Sequence, residues 1–270
     1  MPNQFTHPWS ENEILFLEQS IGKLTYKQMG RVINRSPSSI QSKIRYLPFQ
    51  QKVKKHPVNT TFFRTWSEEM AYTLGFIAAD GNICHTGRAH MLHVACDDRD
   101  VIEKIKLATS YEGPIREKLR ANGKVSYSLR ICDPIIFQDL EELGVTERKS
   151  LTFTPPKIEG GFVRHFVRGY FDGDGSVVLR KNGANFRLRV YIYTASFNMA
   201  VFLQELMVNI LGESYNAKIA TKLAHQKTKY YVINLGHKAS VIFYKYMYKD
   251  TNLYMERKYK KFLEVIGKWQ

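Results

Sequence analysis

Two stretches of the sequence, 71–81 (AYTLGFIAADG) and 165–175 (HFVRGYFDGDG), share one pattern and decide the fold. In each, an apolar helical segment leads into an aspartate that is followed by a glycine. The two aspartates, Asp80 and Asp174, lie 94 residues apart (174 − 80), which is the size of one compact half-domain. The chain therefore contains an internal repeat.

Small residues within the two helical segments predict that the helices pack against each other. Gly75 and Ala79 in the first copy, and Gly169 and Gly173 in the second, lie four residues apart on one helical face. Each glycine costs about 1 kcal/mol of helix propensity relative to alanine, so its presence needs a reason such as close backbone approach. The pairing brings the two aspartates together at one end of the interface.

A pair of aspartates at helix C-termini indicates a cation. The C-terminal end of a helix already carries partial negative charge, and neighbouring carboxylates repel each other. Hard divalent cations such as Mg²⁺ relieve that repulsion, and oxygen-ligated Mg²⁺ is the usual equipment for phosphodiester hydrolysis. The glycines that follow, Gly81 and Gly175, are expected to end the helices in the left-handed conformation.

Each copy continues as strand, strand, helix, strand, strand, helix. The second has a clean period of two, with a basic and aromatic face made by Arg187, Arg189, Tyr191 and Tyr193 that alternates with Leu188, Val190 and Ile192. The first has Arg116, Lys118 and Arg120 alternating with Ile115 and Leu119, and then an apolar face of Val125, Tyr127, Leu129 and Ile131. Sheet faces this basic suit a polyanion, and further basic candidates are Arg180, Lys222, Lys227 and Lys229.

The charge balance agrees with that partner. Forty basic residues against 25 acidic ones give a net charge of +15, which favours nucleic acid first and an anionic membrane a distant second. No apolar run approaches the roughly 20 residues that span a bilayer, and the N-terminus lacks a signal-peptide layout. We expect a cytoplasmic protein, with an organelle still open. Three scattered cysteines indicate buried or half-buried free thiols rather than a zinc site.

The N-terminal segment predicts three short helices. Ser10 and Glu13 form a capping box ahead of an apolar stripe of Ile14, Leu15, Leu17 and Ile21. Thr25 begins a second helix, and Ser36 with Pro37 begins a third. The third helix leaves a polar set available to point outward, namely Ser38, Gln41, Ser42, Lys43 and Arg45. A short polar helix after a tight turn is typical of a helix-turn-helix that reads a major groove, although a packing module without a DNA role stays open.

The domain organisation follows from these patterns. We expect a helix-turn-helix domain over residues 1–47, a basic linker over 48–64, a first repeat over 65–157 and a second over 158–270. The linker, rich in proline and positive charge, either lies along phosphates or is a solvated connector.

The two motifs resemble the paired motifs of the LAGLIDADG homing endonucleases, and the first 47 residues resemble a Myb/SANT-like helix-turn-helix. The resemblance implies an α+β fold with two pseudo-symmetric αββαββα half-domains that form a DNA-binding saddle, plus the small three-helix domain. It also implies that Asp80 and Asp174, with Gly81 and Gly175, bind the catalytic divalent ions. These are Mg²⁺, with Mn²⁺ or Ca²⁺ able to substitute in binding.

The family places a lysine late in each repeat, and Lys149 and Lys258 occupy the matching places. The resemblance implies that they stabilise transition-state charge or polarise the attacking water, whereas a solvated surface cation is the alternative. At one position of the motif the family often has an acid. The first motif has Ala78 there and so departs from the pattern, whereas the second motif keeps the acid as Asp172. Asp172 is expected to be structural rather than a ligand, and the asymmetry predicts unequal cutting rates for the two strands.

The resemblance implies a monomeric, site-specific double-stranded DNA endonuclease with a long target. Two alternatives remain: a non-cleaving transcription regulator derived from this fold, and an RNA maturase that assists intron folding. Retention of both aspartates favours the endonuclease.

Overall fold

A computed structural model describes residues 8–47, 56–86, 89–183, 185–212, 215, 218–223 and 229–266. The chain divides into two compact units. One comprises residues 1–59 with the short segment Ser110–Gly113, and the other comprises Thr60–Thr109 and Pro114–Gln270. Within the described ranges, every helix is too short or too polar to traverse a lipid bilayer.

The smaller unit contains three helices, α1 (Glu11–Ser20), α2 (Tyr26–Ile33) and α3 (Pro37–Arg45). Their starts were predicted correctly: Ser10 forms the capping box with Glu13, and Ser36 caps α3 with Pro37 at its first position. The helices enclose a core of Leu17, Ile21, Met29, Ile40, Ile44 and Leu47. Leu15, predicted in the apolar stripe, is instead 51% exposed, because its side chain points away from the face formed by Ile14, Leu17 and Ile21.

The larger unit consists of two αββαββα repeats, as predicted. The first contains α4 (Glu68–Asp80), β1 (Gly81–Thr86), β2 (Ala89–Cys96), α5 (Arg99–Ala108), β3 (Arg116–Leu119), β4 (Val125–Cys132) and α6 (Pro134–Glu142). The second contains α7 (Val163–Asp174), β5 (Gly175–Asn182), β6 (Asn185–Thr194), α8 (Phe197–Leu211), β7 (Ile219–Leu223), β8 (Lys229–Leu235) and α9 (His237–Tyr248), and α10 (Glu256–Ile266) follows it.

Each repeat forms one antiparallel sheet of four strands, in the orders β1-β2-β4-β3 and β5-β6-β8-β7. The registers are equivalent, because the glycine after each motif pairs with the second strand: Gly81 with Val94, and Gly175 with Ile192. Helices pack on one side of each sheet. The opposite side is called the open face below.

The alternation predicted for the second sheet is confirmed. Leu188, Val190 and Ile192 are fully buried under the helices. The first sheet agrees for Leu129 and Ile131. Leu119 was expected on an apolar face but is 70% exposed, because β3 is the short edge strand and is exposed along its whole length.

The motif helices α4 and α7 pack directly against each other through their small residues. A Cβ built on Gly75 would lie 2.0 Å from the carbonyl oxygen of Phe166, and one on Gly169 would lie 2.0 Å from that of Tyr72. Both distances are far inside van der Waals contact, so only glycine permits this approach. The close helix pairing predicted from the spacing is confirmed.

The expected left-handed conformation of Gly81 and Gly175 is wrong. Their φ angles are −80° and −86°, with ψ near that of extended chain, and each is the first residue of a strand. The chain passes directly from helix to strand, and glycine is needed for space. A Cβ would lie 2.7 Å from the backbone of Ile77 in one repeat and 2.1 Å from the ring of Phe171 in the other.

The three cysteines are free thiols, as expected, but the expected burial is wrong for Cys132 because it ends the open face of strand β4. Cys96 is buried and Cys84 half-buried, whereas Cys132 is exposed.

Candidate metal centre and nucleic-acid interface

Asp80 and Asp174 are the last residues of the two packed helices. The small residues bring the final turns into contact, since a Cβ on Gly173 would lie 2.4 Å from Ala79 Cβ and 3.4 Å from a carboxylate oxygen of Asp80. Asp80 is exposed and Asp174 is half-buried. The helix pairing thus places both carboxylates at the same end of the interface.

The electrostatics of this pair favour a cation. Burial, as the larger cause, and the negative charge of Asp80, as the second, together raise the pKa of Asp174 to about 6. Although Asp80 as a residue is exposed, the atoms packed around its carboxylate desolvate it and raise its pKa, and the positive charges of Lys258 and Lys149 oppose the shift. Both carboxylates are therefore held in surroundings that disfavour their charged forms, which a bound cation would reverse.

Lys149 and Lys258 are buried, with only 5% and 4% of their surface exposed. The alternative that they are solvated surface cations is therefore wrong. Lys149, in a 3-10 turn, donates to the carbonyl of Gly81. Lys258, on α10, donates to three carbonyls in the last turn of α7, those of Phe171 at 2.8 Å, Asp172 at 2.6 Å and Gly173 at 3.2 Å.

The position of Lys258 follows from helix physics. The last carbonyls of a helix lack intrahelical partners and carry its partial negative charge. The ammonium of Lys258 satisfies them in α7 and lies near enough to both aspartates for charge coupling. Burial lowers the pKa of Lys258 to about 8, although the charge of Asp172 opposes the shift. Burial likewise lowers the pKa of Lys149.

The donor set fits a hard divalent cation that keeps most of its water. Among the described residues, no third acidic, histidine or cysteine side chain completes a cluster that could hold a metal by itself. Two carboxylates with adjacent backbone carbonyls are the sparse oxygen set that Mg²⁺ accepts. The carbonyl of Gly81 is engaged by Lys149, so its use by a metal would require that lysine to share it.

Asp172 faces away from this pair, in keeping with a structural role. Its carboxylate accepts hydrogen bonds from the hydroxyls of Tyr72 at 2.8 Å and Tyr248 at 3.2 Å, and from the backbone N–H of Met255 at 2.8 Å. The group is fully buried. Tyr72 belongs to the other motif, 100 residues away in the chain, and Tyr248 and Met255 lie outside both motifs, so no local pattern pointed to these donors.

The second sheet gathers most of its predicted polyanion-binding residues on the open face. Strand register puts Arg180 opposite Arg187, and Tyr191 and Tyr193 stack with 6.3 Å between ring centroids. Arg189 and Lys222 share this face. Like charges opposite each other destabilise a sheet unless an anion lies between them. Tyr230, which sequence reasoning missed, continues the row 6.4 Å from Tyr193.

The first sheet presents Arg116 and Lys118 on its open face, and Arg120 follows the last residue of β3. Arg120 is already engaged, since it bonds Asp97 at 2.8 Å and Ser126 at 3.0 Å. Sequence reasoning missed Arg130 and His93, which are cross-strand partners on the same face. The signal was present, because Ser126, Ser128 and Arg130 alternate with the apolar residues of β4.

Two predicted basic residues are not brought to this surface. Lys229 pairs with Leu223. By strand alternation it lies on the side of the sheet that faces the helices, whereas Tyr230 lies on the open face. Lys227 lies outside the described residues. On α3, Ser38, Gln41, Ser42 and Arg45 are exposed on one helical face. Lys43 is half-buried, with its ammonium 5.9 Å from the ring centre of Trp9.

Comparison with known proteins identifies one domain and the fold. The family model described as a LAGLIDADG-like domain matches residues 161–267. The homing endonuclease I-WcaI bound to its DNA recognition sequence is similar in structure, with a TM-score of 0.51 and 16% identity over 81% of this chain and 97% of that one. Residues 161–267 therefore form a LAGLIDADG-like domain, and the chain has the fold of the LAGLIDADG homing endonucleases.

Two further structures are similar over less of the chain. I-DmoI in complex with DNA and Mn has a TM-score of 0.46 and 14% identity, over 68% of this chain and 98% of that one. I-SmaMI bound to uncleaved DNA target in the presence of calcium ions has a TM-score of 0.45 and 14% identity, over 74% and 89%. No curated protein sequence matches the chain.

Proposed function

We propose that the protein is a homing endonuclease that hydrolyses both strands of a long, specific DNA site with divalent metal held at the α4–α7 interface. The observation that carries the proposal is the meeting of two carboxylates and two buried lysines at one end of that interface. Asp80 and Asp174 supply the first pair, and Lys149 and Lys258 the second.

Each group has a defined part in the proposed reaction. Asp80 and Asp174, with the carbonyls of Gly81 and Gly175, would hold Mg²⁺, and Mn²⁺ or Ca²⁺ could substitute in binding. When bound, the ion supplies Lewis acidity toward a phosphate oxygen and lowers the pKa of a coordinated water. The ammonium groups of Lys149 and Lys258 stabilise negative charge that develops on the phosphate, and their burial strengthens that effect.

DNA binding is proposed to use the open faces, arranged as a saddle over the major groove. The residues proposed to contact DNA there are Arg116, Lys118, Arg120, Arg180, Arg187, Arg189, Tyr191, Tyr193 and Lys222. The three-helix unit adds contacts through α3, as a helix-turn-helix does. Both motif helices belong to one chain, so a second copy is not needed to complete the metal centre, and the active species is proposed to be a monomer.

The test is cleavage of a randomised double-stranded DNA library by the full chain in Mg²⁺, with Asp174→Asn and Asp80→Asn as matched variants. Cuts are expected to cluster on one long motif and to disappear in both variants. Binding to that motif is expected to persist, because the Lys and Arg contacts to phosphate remain.

Three results would contradict the proposal. Enrichment of a motif without cutting in Mg²⁺ or Mn²⁺ would favour the transcription regulator. Loss of binding in a folded Asp174→Asn variant would remove this aspartate from the catalytic role. Preferential binding of structured RNA over the selected DNA would favour the maturase.

A further inference from the structure

The second motif helix carries buried charged groups at positions where the first has apolar residues. Arg168 and Asp172 on α7 are both fully buried, and the positions at the same offset on α4 are Leu74 and Ala78. Burying charged groups is destabilising unless every donor and acceptor finds a partner. The repeat that pays this cost is also the one followed by α10, which carries Lys258.

The partners of Arg168 lie in the connection to α10. Its guanidinium donates to the carbonyl of Met247 near the end of α9 and to that of Leu253 in the following loop, both at 2.7 Å. The third nitrogen lies 2.9 Å from Nδ1 of His165. One side chain therefore holds both the last turn of α9 and the loop that leads from it to α10.

Asp172 fixes the same segment at the start of α10. Its carboxylate accepts the backbone N–H of Met255 at 2.8 Å, one residue before the helix begins. The next N–H, that of Glu256, donates to Asp100 on α5 at 3.1 Å. Two carboxylates, one from each repeat, thus satisfy N–H groups at the beginning of α10 and favour its positive end.

Lys258 stands on the first turn of that helix, with its ammonium on the carbonyls of residues 171–173. Asp172 thus contacts the segment Met255–Lys258 at both ends. Its carboxylate accepts the N–H of Met255, and its backbone carbonyl accepts the ammonium of Lys258. We infer that Asp172, together with Arg168, is a positioning residue that places Lys258 at the metal centre, an inference that rests on the proposed nuclease function.

The variants separate this role from charge and from packing. Asp172→Ala removes the acceptor of the Met255 N–H, whereas Asp172→Asn keeps an oxygen for it. Tyr72→Phe is the matched control, since it removes another donor to the same carboxylate and leaves the Met255 contact. If Asp172→Ala does not fold, Asp172→Ser replaces it, because its hydroxyl ends one bond short of the carboxylate oxygens.

The first measurement needs neither DNA nor metal. The full chain is acetylated at its lysines under native conditions, and the modified positions are found by mass spectrometry. Lys258 is expected to be protected relative to exposed Lys260 in the unchanged protein. Asp172→Ala is expected to lose that protection, while Asp172→Asn and Tyr72→Phe retain it.

The second measurement is single-turnover cleavage of the selected DNA beside its Kd. Asp172→Ala is expected to cut roughly tenfold to a hundredfold more slowly, as for a displaced catalytic group, with an unchanged Kd. Asp172→Asn is expected to restore most of the rate.

A folded Asp172→Ala or Asp172→Ser variant with Lys258 still protected would overturn the inference. The inference would also be overturned if the parent protein cut DNA and that variant cut it at the same rate. An unchanged protein that cuts no DNA would count against the proposed nuclease instead, and the acetylation result would still decide the position of Lys258.

Discussion

Asp80 and Asp174 occupy equivalent positions but unequal surroundings. Asp174 is half-buried, and its burial, together with the negative charge of Asp80, raises its pKa to about 6. Asp80 is exposed, and the negative charge of Asp97 adds to its raised pKa. The register that pairs Gly81 with Val94 and Gly175 with Ile192 puts Ala195 where the first repeat has Asp97. The two half-sites therefore differ in charge.

His165 should make stability depend on pH. The ring is 2% exposed, and burial, with the charges of Arg168 and Arg164, lowers its pKa to about 4. An unfolded histidine has a pKa near 6.5, so the unfolded chain takes up the proton first as pH falls. Stability from this group is therefore present above about pH 6.5 and is lost as pH falls toward 4, by up to about 3 kcal/mol.

Urea unfolding of the protein and of His165→Gln at several pH values between 4 and 7 checks this. The unchanged protein should lose more stability than the variant as pH falls. Asp172 and Asp174, with pKa values raised to about 6, change stability in the opposite direction. They do so in both proteins, so their effect cancels in the difference. Parallel curves for the two proteins would show that His165 is not held neutral.

At the scale of elements, the contact of α4 with α7 sets the position of the two aspartates. The aspartates are where they are because the helix backbones touch at Gly75 and Gly169. Two effects of a methyl group oppose each other here. Alanine improves helix propensity by about 1 kcal/mol over glycine, whereas a Cβ only 2.0 Å from a backbone carbonyl oxygen must push the helices apart. Overpacking commonly costs about 1–3 kcal/mol, and backbone cannot move aside as a side chain can.

Gly75→Ala should therefore lower the free energy of unfolding despite its better helix propensity, by about 2 kcal/mol or more. Gly161→Ala is the matched control, because a Cβ there meets nothing within 4 Å. Urea denaturation of both variants gives the comparison. If the two variants were equally stable, the helices would not be in direct backbone contact.

The helix pairing and the sheet faces could be predicted because they rest on local periodicity. Gly75 and Gly169 reveal a contact through spacing alone, and Leu188, Val190 and Ile192 reveal a buried face through alternation. The conformation of Gly81 could not be predicted, because it depends on how strand β1 leaves the helix and on the side chain of Ile77. The burial of Lys258 and the partners of Asp172 could not be predicted either. They are set by contacts such as Asp172 with Met255, 83 residues apart.

At the scale of the molecule, the net charge of +15 favours a polyanionic partner. Arg180 lies directly opposite Arg187, and both are on the open face. If the protein contacts DNA phosphates there, binding must release counterions. For roughly 6–10 phosphate contacts, affinity should fall about a thousandfold or more between about 50 and 200 mM salt.

Variants on the exposed face of α3 show how much of this salt dependence comes from the three-helix unit. Arg45, if it contacts a phosphate, should lower the salt slope by about one when changed to alanine, whatever the DNA sequence. Gln41→Ala on the same face should leave the slope unchanged and relax preference at one base if it reads that base. Lys23→Ala, which removes an exposed charge between α1 and α2, is the matched control. Kd values for the selected site, measured by fluorescence anisotropy across a salt series, test all three. If Arg45→Ala behaves as Lys23→Ala does, α3 is a packing helix, and specificity must come from the two sheets alone.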